Sequence, residues 1–153
     1  MSDSDIKPAT PEEAVELGLR KAIRTAIQAS NIGDAKISCF WLPDEFDADD
    51  IKGKVPPYVF IEAQPARMAG YRSKLRDIPV SITCVTLPDG DVDGRDKRMR
   101  DLYPVVRGVI DNETFTFPAP VVAQGFTVDE SSTSATDDYM PMVSFTVTFR
   151  ISI

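Results

Sequence analysis

The sequence contains no histidine. That absence removes the commonest general base, the commonest neutral metal ligand and every histidine-dependent catalytic triad. Cysteine is nearly as scarce. Cys39 and Cys84 lie in separate apolar, strand-like runs and form no C-x-x-C pair, so they read as buried, reduced thiols suited to a reducing cytoplasm. No stretch approaches the roughly 18 consecutive apolar residues of a membrane-spanning helix. The opening MSDSDIKPAT lacks the apolar centre of a secretion signal. There is no G-x-S-x-G elbow, phosphate-binding glycine loop or dinucleotide fingerprint. Cations are the minority charge: 17 Lys and Arg stand against 24 Asp and Glu, a net charge of −7. Phosphate neutralisation needs clustered Lys and Arg, so sequence-independent nucleic-acid binding is disfavoured. A non-enzymatic chain with no cofactor is expected.

What the chain does have is ordinary globular chemistry. Its 153 residues suit one domain, and at this size folding buries roughly 68–70% of the unfolded surface without staples. Residues 1–9 are polar and expected to be flexible, leaving residues 10–153 as that domain. From Val143 onward the chain alternates without a break. Val143, Phe145, Val147, Phe149, Ile151 and Ile153 point one way and Ser144, Thr146, Thr148, Arg150 and Ser152 the other. This is a strand with one buried face, tied into a sheet to its last residue.

At the other end, Thr10-Pro11-Glu12-Glu13 combines an N-cap, proline at the first helical position and a capping-box glutamate. An amphipathic helix follows to about Ser30. Val15, Leu19, Ala22, Ile23, Ala26 and Ile27 form its apolar stripe, with Arg20, Lys21, Arg24 and Gln28 on the opposite face. Strands are expected over Lys36 to Leu42, Pro57 to Gln64, Ile78 to Leu87 and Val121 to Asp129, and a second helix over Arg95 to Ile110 with a kink or late start at Pro104. The fold class is α+β, in the order α-β-β-β-α-β-β. A largely antiparallel mixed sheet should carry both helices packed on one face.

Three segments are candidates for contacts. Asp44, Glu45, Asp47, Asp49 and Asp50 place five acids in seven residues, inside a long loop of the kind that is often functional. Arg67, Arg72, Lys74 and Arg76 form a basic loop suited to an acidic partner. The hairpin tip Glu130 to Asp138 is the third. Asp89-Gly90-Asp91-Val92-Asp93-Gly94 opens like a calcium loop, but the twelfth position, which needs a bidentate glutamate, is Arg100. The acids there suit a strand-to-helix turn in which Asp91 or Asp93 caps the second helix.

The N-terminal helix, the strand PYVFIEAQP, the charged loop before IPVSITCVT, the helix DKRMRDLYPVVRGVID, and the closing QGFTVDESS and MVSFTVTFRISI hairpin together resemble the tail terminator proteins of long-tailed bacteriophages. The likeness runs from Pro11 to Ile153. It implies a virion subunit of the tail neck, assembled in the host cytoplasm, that forms a homo-hexameric ring on the last ring of the tail tube. That ring would end polymerisation and present its other face to the head-tail connector or stopper protein, and in a contractile tail to the sheath terminus. DNA would pass through the channel without specific binding, and no membrane is involved. The charged residues Asp44 to Asp50 and Arg67 to Arg76 would then be opposite halves of heterologous contacts. Two other readings stay open: a different head-tail connector or neck adaptor, and a small cytoplasmic ligand-binding α+β domain. A DNA-mimicking inhibitor fits less well because its carboxylates would have to share one face.

Overall fold

Helix α1 (Pro11–Ser30) begins where the capping residues place it. Thr10 is extended, and its hydroxyl accepts the Glu13 N–H at 3.2 Å. The Glu13 carboxylate accepts the N–H of Ala9 at 2.9 Å, one residue before the position that a capping box uses. Asn31 closes the helix in the left-handed region at φ 58°. The computed structural model describes residues 6–33, 35–43, 57–70, 74–87, 97–129, 132–135 and 140–153. The five acids of the 44–50 loop, Arg72, the calcium-like loop and most of the hairpin tip lie outside them.

The described strands are β1 (Lys36–Cys39), β2 (Tyr58–Ala63), β3 (Arg67–Met68), β4 (Arg76–Val85), β5 (Val122–Val128), β6 (Ser132–Ala135) and β7 (Pro141–Ser152), with α2 (Lys97–Asp111) between β4 and β5. They form one sheet in the order β1-β2-β4-β7-β5, with β3 added to β4 and β6 to β7. The β1–β2 pair is parallel and every other pair antiparallel. The α+β class with helices on one face holds. Two strands, β3 and β6, come in addition, each too short to show a period of its own.

Alternation decides which face is buried. Ile78, Val80, Ile82 and Cys84 of β4 lie beside Phe149, Val147, Phe145 and Val143 of β7 in register, and all but the half-buried Val143 are buried. Val15, Leu19, Ile23 and Ile27 of α1 and Met99, Leu102, Val106, Val109 and Ile110 of α2 supply the helical side of the same core. Each large aliphatic or aromatic side chain so removed from water contributes about 1.5–3 kcal/mol. Helix α2 runs on through Pro104, which forfeits one backbone bond, and its apolar stripe holds it on the sheet.

Two expectations are corrected here. Ile153 is 65% exposed, because the β4–β7 ladder ends with Arg76 opposite Ile151 and, among the described residues, no strand pairs with the residue beyond Ser152. Arg20, assigned to the wet face of α1, is fully buried, and so is Glu16.

Gly18 is where α1 meets the connector between α2 and β5. A Cβ added there would lie 2.7 Å from Phe117 Cδ1 and closer still to the carbonyl oxygen of Thr116. Gly18→Ala would gain about 1 kcal/mol of helix propensity. The clash involves backbone and costs about 1–3 kcal/mol, so a net loss is expected. A thermal melt checks this: a higher midpoint for the variant would mean that the connector yields freely.

Candidate functional site

Glu16 and Arg20 are one turn apart on α1, and both reach the segment that follows β1. The Glu16 carboxylate accepts three backbone N–H groups: Trp41 at 2.7 Å and Leu42 at 3.3 Å on Oε1, and Ala63 at 2.9 Å on Oε2. Arg20 Nη1 donates to the Pro43 carbonyl at 3.0 Å. Where β1 and β2 stop, the helix thus supplies the partners that their main chains would otherwise lack. Burial raises the Glu16 pKa above its ordinary value, against the opposing pull of the backbone donors. Glu12 repeats the device, accepting the Ala66 N–H at 2.7 Å.

This clamp fixes an aromatic pair at the surface. Trp41 donates its indole N–H to the Ala63 carbonyl at 2.7 Å, and Phe40 meets it edge to face at 5.1 Å. Phe40 is 55% and Trp41 41% exposed. A rigid, exposed tryptophan with a phenylalanine against it is the side-chain chemistry of an interface anchor.

The same flank carries the described part of the basic loop. Arg67 stands opposite Asp77 and Met68 opposite Arg76 in the β3–β4 ladder. Arg76 Nη1 donates to the Leu75 carbonyl at 3.1 Å, and Lys74 is exposed. Arg67 and Lys74 make no ion pair among the described residues. Arg67, Lys74 and Arg76 thus all lie within the short β3–β4 hairpin. The acidic half of the proposed contact, with Arg72, lies outside the described residues.

On the face away from the helices, Arg150 Nε and Nη2 hold the two Asp77 oxygens at 3.0 and 3.3 Å. That bidentate pair keeps Asp77 below the usual carboxylate range. The pair is partly exposed and worth little by itself. Its stabilisation is present above the ordinary aspartate pKa and fades as pH falls through the lowered one.

No family model and no curated protein matches this sequence. Among solved structures, a chain in "Virion of native gene transfer agent (GTA) particle" superposes with a TM-score of 0.57. The fold is one that a virion chain also has. The match covers 94% of this chain and 98% of that one, at 12% identity. It therefore joins the two folds over nearly the whole of both chains.

The Cys84 thiol is pushed up to about 12 by burial, which leaves it protonated and unreactive. A groove along α1 is lined by Gly18, Lys21, Ala22, Thr25, Thr114 and Thr116, with no carboxylate or thiol in that set. Sequence reasoning missed the clamp because Glu16 and Arg20 look like surface residues. Their positional signal was available: 16, 20, 23 and 27 recur at helical spacing with Ile23 and Ile27.

Proposed function

We propose that this protein is a structural subunit of a phage-like virion, acting as a tail terminator. In this reading it forms a hexameric ring that caps the tail tube, ends tube polymerisation and joins the tail to the head-tail connector. The carrying observation is the end-to-end match of nearly the whole chain to a chain of a gene transfer agent virion. Three further features support it. The sequence lacks histidine and nucleophile motifs, the sheet flank carries a clamped aromatic pair with cations nearby, and the residue pattern resembles tail terminators throughout. The partners are then other copies of itself, the tube protein, the connector or stopper and, in a contractile tail, the sheath end. Its place is the tail neck, after assembly in the host cytoplasm. DNA would cross the channel without specific contacts, as suits a chain of net charge −7.

The test is to add the purified protein to tail tube protein during tube assembly and to measure tube length and ends by negative-stain microscopy. Short tubes of uniform length with one extra ring at an end are the expected result. Unchanged tubes with bare ends would sink tail termination. Binding to connector rings alone would assign the protein to the connector side.

A further inference from the structure

We draw no further inference here: the strongest candidate, the exposed Phe40–Trp41 pair held just past the end of β1, belongs to the site already described, and nothing in the structure shows what covers it.

Discussion

Glu16→Ala is expected to lower the free energy of unfolding by about 3–5 kcal/mol, since three backbone donors lose their acceptor at once and each orphaned group costs about 1–3 kcal/mol. The donors are Trp41, Leu42 and Ala63. In a domain whose total stability is about 5–15 kcal/mol, that change threatens the fold. Glu16→Gln separates hydrogen bonding from charge. Its carbonyl can still serve Trp41 and Leu42, but the amide NH2 then faces the Ala63 N–H, donor against donor, at a cost of about 1–3 kcal/mol.

The pH dependence has a definite sign. Because burial raises the Glu16 pKa above 4.5, the native state holds this proton more tightly than the unfolded chain. The stability it contributes is full below about 4.5 and is lost as pH rises through the raised value. The Glu16→Gln penalty should accordingly be larger near pH 4.5 than at neutral pH. Urea midpoints for both variants across that range decide it. An alanine penalty under about 1 kcal/mol would show that water, and not the helix, satisfies these amides.

That clamp marks the boundary of what was legible beforehand. The terminal strand was readable because Phe145, Val147, Phe149 and Ile151 obey a period of two, and burial on one face enforces that period. The start of α1 was readable because Thr10 and Pro11 act locally. Arg20 was misread because its chemistry was weighed above its position: at 16, 20, 23 and 27 the helix turns charged and apolar residues to the same side, where the amides past β1 and β2 partner the buried Glu16 and the Pro43 carbonyl partners the buried Arg20. The parallel pairing of β1 with β2 left no mark in the alternation of either strand, since period two is the same in both orientations. Of the candidate contact residues, Arg67, Lys74 and Arg76 lie within the β3–β4 hairpin, and the two residues of β3 are too few to show a pattern. The exposed Phe40 and Trp41 read as strand because five of the six residues from Ile37 to Leu42 are apolar, Ser38 being the exception; β1 stops at Cys39, where the Glu16 carboxylate takes over the amides of Trp41 and Leu42.

Phe149→Ala tests whether β7 is the keystone that its alternation suggests. The ring is fully buried. It packs on Phe115 and Phe117, each at 5.2 Å and near-perpendicular, and on Phe126 at 6.0 Å, while its backbone lies between Ile78 of β4 and Phe126 of β5. Truncating such a phenylalanine costs about 3–5 kcal/mol through lost transfer energy and the cavity left behind. Phe149→Leu refills most of that volume but loses the edge-to-face contacts, each worth about 0.5–1.5 kcal/mol, so about 1–3 kcal/mol is expected. The damage should also have a place. Phe115 and Phe117 belong to the connector and Phe126 to β5, so amide exchange in β5 should quicken more than exchange in β2, on the far side of β4. If β2 and β5 quicken together, the aromatic cluster does not act as a local unit and the sheet opens as one piece. If β5 alone quickens, Phe149 holds that edge strand on β7 as a unit that opens separately from the rest of the sheet.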